Sequence, residues 1–84
     1  MKDLKLIDPA TGITENCGVI AAKRSIGTAT VYLTYREADK MWWIIIREQP
    51  HGLWKIGYLI DRREVAWETF RDLDDVELAK LKSN

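Results

Sequence analysis

Two runs of large apolar residues in the middle of the chain predict a β-hairpin. The segment MWWIIIREQPHGLWKIGYLID, residues 41–61, contains these runs on either side of residues 49–52. Pro50 favours the backbone angle of a first turn position, and Gly52 can adopt the left-handed conformation that closes such a turn. Because Trp and Ile favour half-buried pleated surfaces, we expect both runs to be antiparallel strands.

The hairpin register divides the side chains between two faces, because successive residues of a strand point to opposite sides. A turn with one bulged residue pairs Trp43 with Leu59, Ile46 with Ile56 and Arg47 with Lys55. The face expected to form the main core, called the core face, carries Trp42, Ile44, Ile46, Trp54, Ile56, Tyr58 and Ile60. The other face, called the mixed face, carries Trp43, Ile45, Arg47, Lys55, Gly57 and Leu59.

A third strand is predicted immediately before the hairpin. Residues 28–35, TATVYLTY, alternate strictly between apolar and polar or aromatic positions. A short polar loop joins them to the hairpin, so the pairing should be antiparallel. A four-residue loop sets Leu33 opposite Ile44 on the core face and Tyr32 opposite Ile45 on the mixed face.

A fourth strand is predicted further upstream, although its pattern also fits a helix. Residues 17–22, CGVIAA, form a strand followed by a turn at 23–27. The alternative is a short helix over 15–24, in which Gly18 costs about 1 kcal/mol relative to Ala. As a strand, the segment directs three side chains to the core face: Cys17, Val19 and Ala21.

The first residues predict a small N-terminal hairpin. Residues 8–12, DPATG, place Pro after Asp and end in Gly, which is typical of a turn. Apolar residues at 4–7 and 13 flank this turn. Such a hairpin could fold over the mixed face and make it an ordinary part of the core.

After Ile60 the apolar period changes from two to about 3.6 residues, which predicts a C-terminal helix. Asp61, with Glu64 three residues later, has the pattern of a capping box. Asp74 and Glu77 repeat that spacing, so the helix can break within residues 72–75. The predicted apolar stripe consists of Val65, Ala66, Phe70, Leu73 and Val76, with Trp67 at its edge.

These elements predict a single α+β domain over residues 1–84. Its architecture is an antiparallel β-meander of four or five strands with a C-terminal α-helix packed on one face. A chain this short buries roughly 60 to 65% of its unfolded surface, so covering further apolar area by oligomerisation would stabilise it.

Charge and cysteine content narrow the class of protein. Thirteen basic and thirteen acidic residues give no net charge, although residues 64–84, with three basic and six acidic side chains, are the acidic end. The only cysteine, Cys17, allows no internal disulfide, and the N-terminus lacks the apolar run of a secretory signal. The longest apolar run, residues 41–46, is too short to cross a bilayer. We therefore expect a cytoplasmic protein without membrane association.

No residue pattern predicts catalysis, a metal site or a cofactor. His51 is the only histidine and falls at the predicted turn, far in sequence from Cys17. The two serines lack the glycine-flanked elbow of a nucleophile, and the five glycines are scattered rather than grouped into a phosphate-binding loop. The aspartates of residues 72–75 are typical of a solvated helix surface. The sequence thus predicts a protein that is not an enzyme.

The mixed face is the predicted functional surface. One helix covers only one face of a sheet, so apolar side chains on the other face need a partner. We expect a non-catalytic binding or assembly module, a homodimer through this face, with Trp43 and Tyr32 as anchors. The predicted binding residues are Tyr32, Trp43, Ile45, Arg47, Lys55 and Leu59.

A different protein is an alternative to a second copy of this chain as the partner on this face. Two further alternatives belong to other functional classes. Aromatic and basic side chains on one sheet face are typical of single-stranded nucleic-acid binding, although this face offers few cations. The other alternative is a small-ligand pocket between sheet and helix, lined by Trp54, Tyr58 and Trp67.

Overall fold

The computed structural model describes residues 3–7, 14–48 and 54–82, which form one antiparallel sheet followed by two helices. The strands lie in sequence order across the sheet, as in a meander. The elements are β1 (Asp3–Ile7), β2 (Thr14–Ile26), β3 (Ala29–Arg36), β4 (Met41–Glu48), β5 (Trp54–Ile60), α1 (Arg63–Asp72) and α2 (Asp75–Lys82). The predicted α+β meander is confirmed.

The register between β3 and β4 is the predicted one. Leu33 pairs with Ile44 and Tyr32 with Ile45. Leu33 and Ile44 are fully buried on the core face, and the alternation of β3 continues to Thr34 on the mixed face. A short connection and strict alternation leave only one register that keeps the apolar set together.

The predicted pairing of β4 with β5 is correct for residues 58–60 and wrong for residues 54–57. Trp43 pairs with Leu59 as expected, but the register then shifts, so that Ile45 pairs with Ile56 and Arg47 with Trp54. Gly57 is the extra residue of this β-bulge, and a bulge turns the following side chains to the other face. Trp54 and Ile56 consequently lie on the mixed face, and Lys55 lies on the core face.

Gly57 itself faces the core face, contrary to its predicted position on the mixed face. A Cβ atom built on it would lie 3.2 Å from Cδ1 of Ile46 and 3.4 Å from Cδ1 of Leu81. The space that glycine leaves is therefore used by the packing of α2 against the sheet.

Strand β2 is longer and more irregular than predicted. It covers thirteen residues, so the helical alternative for 15–24 is wrong, and the turn to β3 lies at Gly27 and Thr28. The register shifts between Ile20 and Ala22, and Gly18 has a φ of +96°. Because of these two irregularities Cys17 packs on the mixed face, not on the core face, and Ala21 is exposed.

The N-terminal hairpin is formed by β1 and the first half of β2. Ile7 pairs with Thr14 in an antiparallel ladder that continues to Asp3 and Val19. This confirms the predicted pairing, whereas the predicted turns at 8–12 and 49–52 lie outside the described residues.

The core face is covered by both helices. Ala66 and Phe70 of α1, Leu73 of the linker and Leu78 of α2 pack against the sheet. The buried residues contributed by the strands are Ile26, Ala29, Val31, Leu33, Ile44 and Ile46. A ring contact between Trp42 and Trp67, with centroids 6.5 Å apart, extends this core to its edge.

The predicted single helix is broken where the second cap was expected. The amide of Glu77 donates to Oδ1 of Asp74 at 2.9 Å, and Leu73 is extended. The break changes the direction of the chain before Val76, which is 65% exposed, and Val65 on α1 is 41% exposed, although the stripe predicted both as buried. The expected cap at Asp61 is also wrong, because Arg62 occupies the N-cap and no side chain caps there.

Basic side chains on the core face hold the ends of both helices. Nη1 of Arg24 donates to the carbonyls of Phe70 and Arg71 at 2.7 and 2.8 Å. Nζ of Lys55 donates to the carbonyl of Leu81. A cation at a helix C-terminus pairs with otherwise unsatisfied carbonyls and with the negative end of the dipole.

No helix within the described ranges is long and apolar enough to cross a membrane.

Candidate binding surface on the mixed face

Trp43 is buried by its own chain. Its side chain is 3% exposed and packs with Cys17 and Ile45, and Leu4 of β1 and Met41 lie against this cluster. The guanidinium carbon of Arg36 lies 4.5 Å from the centre of the Trp43 rings. The expected exposure of Trp43 as an anchor is therefore wrong.

The fold of β2 over this face is held by a hydrogen bond. Oγ1 of Thr34, which is fully buried, donates to the carbonyl of Cys17 at 2.6 Å. Gly18 follows Cys17, and a Cβ atom at Gly18 would come within 2.2 Å of the carbonyl oxygen of Tyr35. Only glycine allows the two backbones to approach this closely.

Ile45 is also fully buried, contrary to the prediction of an exposed apolar position. Tyr32 on β3 and Trp54 on β5 pack against the cluster that contains Ile45, and their ring centroids are 5.5 Å apart. Since β4 lies between β3 and β5, the two rings meet across β4 and cover Ile45. Both rings remain half-buried.

Arg47 stands beside this aromatic pair. Its guanidinium carbon lies 4.9 Å from the Trp54 ring centre, a distance typical of a cation–π contact. Its Nε is buried without a hydrogen-bond partner. Arg47 is thus on the mixed face as predicted, whereas Lys55, its predicted companion, points to the core face.

Lys23 is the cation that sequence analysis missed. It pairs with Tyr32 across the β2–β3 ladder and is exposed. Lys23 is therefore the exposed lysine of the mixed face, a role that the sequence analysis assigned to Lys55. The prediction ended the strand at residue 22 and put Lys23 in a turn. A strand running to residue 26 with the predicted alternation would still have placed Lys23 on the core face, and the register shift between Ile20 and Ala22 brings it to the mixed face.

The exposed apolar part of the mixed face lies on β5. Leu59 is 54% exposed and Ile56 38% exposed, and Trp54 continues the same side of the strand. We call these three residues the β5 strip. Among the described strands β5 is an outer strand of the sheet.

One ion pair stands at the end of the mixed face. Nη2 of Arg36 donates to Oδ2 of Asp39 at 2.5 Å. This hydrogen bond is the main reason that the pKa of Asp39 lies below its ordinary value. Asp39 therefore stays ionised and offsets part of the charge of Arg36.

The predicted pocket of Trp54, Tyr58 and Trp67 does not form as proposed, because Trp54 lies on the other side of the sheet. An open cleft of about 380 Å³ lies instead between Tyr58 and the helices. Its lining is Tyr58, Val65, Glu68, Thr69, Asp72, Leu73, Asp74 and Glu77. Burial, with a hydrogen bond to Glu77, raises the pKa of Tyr58 above 10.0.

Within the described residues, no three His, Cys, Asp or Glu side chains come together as a metal site requires. No protein-family model matches this chain, and no curated protein or solved structure is significantly similar to it. The functional interpretation accordingly depends on the chemistry of the surface.

Proposed function

We propose that this chain is a non-catalytic assembly module that forms a homodimer through the β5 strip. The observation that carries the proposal is the bulge at Gly57, which brings Trp54 and Ile56 to the same side as Leu59. Bulges re-aim side chains at sheet edges and functional surfaces. Without it, Ile56 would point to the core face and Leu59 would be an isolated exposed leucine.

The strip has the composition of an interface centre. Buried aromatic side chains and Arg near the centre of a protein interface supply most of its binding energy, and apolar neighbours around them exclude water. The strip provides Trp54, Ile56 and Leu59, and Arg47 contacts one end of it. Trp43, which the sequence predicted as an anchor, is buried instead. It is the ladder partner of Leu59 and lies next to the strip.

A second copy is a chemically suitable partner for this strip. A twofold axis across the middle of β5 runs the two strips antiparallel, so the Arg47 end of one protomer meets the Leu59 end of the other. Asp61, which is exposed, follows that end. The charge pairing orients the partner and adds little energy, because exposed ion pairs contribute about 0 to 1 kcal/mol.

The association uses side chains more than strand edges. A bulge in an outer strand disturbs the regular row of backbone donors and acceptors that edge-to-edge pairing needs. We therefore expect association to be nearly insensitive to salt and to show a negative heat-capacity change from apolar burial. The compartment that we propose is the cytoplasm, because the only cysteine is buried and forms no internal disulfide.

Leu59→Asp is the direct test, because this side chain is exposed and its replacement leaves the core intact. We expect light scattering to give a dimer for the wild type and a folded monomer for Leu59→Asp. Val76→Asp is the matched control, since Val76 is even more exposed but lies on α2. It should remain a dimer. A wild type that is monomeric at high micromolar concentration, or a Leu59→Asp variant that is still dimeric, contradicts the proposal.

A further inference from the structure

Four side chains from four neighbouring strands come together on the mixed face. Lys23 lies on β2, Tyr32 on β3, Arg47 on β4 and Trp54 on β5. The Tyr32 and Trp54 rings contact each other, Arg47 stacks on Trp54, and Lys23 is the ladder partner of Tyr32. The arrangement is an aromatic pair flanked by two cations, and we call it the basic–aromatic patch.

The positive charges of the two cations in the patch are available to a partner. Arg36, the third cation of this face, is already bonded to Asp39. Among the residues that the structure describes, no carboxylate forms an ion pair with Lys23 or Arg47. Lys23 is exposed, and Nε of Arg47 is a buried donor without an acceptor.

The neutral net charge of the chain conceals a local excess of basic side chains on the mixed face. The mixed-face positions from residue 23 onward in β2, and those of β3, β4 and β5, include Lys23, Arg36 and Arg47 but no carboxylate. The helices on the other side carry both signs: five acidic residues, Glu64, Glu68, Asp72, Asp75 and Glu77, and four basic ones, Arg63, Arg71, Lys80 and Lys82. A local field of one sign attracts an anionic partner even when the whole protein is neutral.

We propose that the basic–aromatic patch binds single-stranded nucleic acid. A single strand offers phosphates to Lys23 and Arg47 and flat bases to the exposed parts of the Tyr32 and Trp54 rings, which is the usual chemistry of such surfaces. An acidic peptide would satisfy the cations but not the rings. A duplex hides its bases from a sheet surface, so an unpaired strand fits best.

Fluorescence anisotropy with a labelled oligothymidylate of about twelve nucleotides tests the phosphate contacts. With two cations on phosphates, the log–log slope of affinity against salt should be about −1.4. Lys23→Ala should weaken binding at low salt and reduce the magnitude of that slope by about 0.7. Arg63→Ala is the matched control, because it removes the same charge from an exposed position on α1 and should change neither quantity.

A second variant tests the stacking contact separately. Tyr32→Leu keeps an apolar side chain over Ile45 but removes the aromatic plane. It should weaken binding roughly tenfold at every salt concentration and leave the slope unchanged. Circular dichroism establishes that the variant is folded. If Tyr32→Leu reduces the salt dependence of binding but leaves the affinity unchanged, the assignment of Tyr32 to base stacking is contradicted.

The Leu59→Asp variant separates this inference from the proposed dimer. Trp54 and Arg47 belong to both surfaces, so the dimer should compete with the oligonucleotide. The monomeric Leu59→Asp variant, which keeps all four patch residues, should bind at least as tightly as the wild type. No binding by Leu59→Asp at low salt overturns the inference and leaves the dimer untouched. Equal binding of polyaspartate or of a duplex of the same length also overturns it, because charge alone would then explain the retention.

Discussion

The two faces of the sheet are closed by different physical means. On the core face, two amphipathic helices supply Ala66, Phe70 and Leu78 as a separate layer. On the mixed face no helix is present among the described elements, and the small cluster of Cys17, Trp43 and Ile45 is covered by the sheet itself. A bent strand, a stacked arginine and an aromatic pair replace the second layer.

The difference concerns what each cover requires from the sequence. A helix layer requires an apolar stripe and tolerates changes in individual residues, because many contacts share the energy. A strand that bends over its own sheet requires backbone conformations that only glycine adopts at low cost. The mixed face should therefore be more sensitive to a single methyl group, and the core face to the loss of a large side chain.

Gly18→Ala should have the largest effect. The added Cβ atom would overlap the backbone of Tyr35 and would sit at a φ of +96°, so we expect the free energy of unfolding to fall by about 5 kcal/mol. Gly27→Ala is the control, since Gly27 also has a positive φ but a Cβ atom there would lie 3.8 Å from Oδ1 of Asp75, an ordinary contact distance. It should cost only about 1 kcal/mol. Equal losses in urea unfolding would mean that β2 is not closely packed on β3.

Phe70→Ala should have the next largest effect, on the core face. Phe70 is 5% exposed and contacts the Trp67 ring edge-on at 6.3 Å. Its truncation should lower the free energy of unfolding by about 3 to 4 kcal/mol. Hydrogen exchange should show loss of protection first in α1 and α2. The comparison of faces fails if the amides of β1 lose protection before those of the helices.

Thr34→Val should have a moderate effect that is limited to the cover of the mixed face. The substitution keeps the shape of the side chain but removes the hydrogen bond to the Cys17 carbonyl. We expect a loss of about 1 to 2 kcal/mol, because the buried hydrogen bond between Thr34 and the Cys17 carbonyl is removed. Thr30→Val, on the same face of β3 but only partly buried, is the control and should change stability little. If Thr34→Val leaves the free energy of unfolding unchanged, the hydrogen bond from Thr34 does not stabilise the position of β2.

The smallest effect is expected from Tyr58, beside the cleft on the core face. Its pKa is raised in the folded state by burial and by Glu77. Its contribution to stability is therefore complete below the ordinary pKa of 10.0 and is lost as the pH rises through the folded pKa. Urea midpoints should fall slightly faster above pH 10 than those of Tyr58→Phe. Identical pH profiles would mean that Tyr58 is freely solvated.

The candidate site shows where sequence reasoning reached its limit. The strict alternation of β3 placed Tyr32 correctly, and the alternation of β4 placed Trp43, Ile45 and Arg47 on the face that they occupy. Gly57, within a strand, was a signal for a bulge, but the sequence pattern did not show on which side of Gly57 the register would change. One residue of shift exchanged Lys55 for Trp54 and Ile56 on the mixed face.

The sequence by itself determined the α+β class, the meander order of the strands and, through the spacing of Asp74 and Glu77, the place of the helix break, but it left the number of strands at four or five. These features are local, because alternation, turn residues and caps act over a few neighbouring residues. Only the tertiary structure decided that Trp43 is buried, that Val76 is exposed and that Lys23 joins Tyr32. Those outcomes depend on how far β2 bends and where β5 bulges, and both result from contacts between residues distant in the chain.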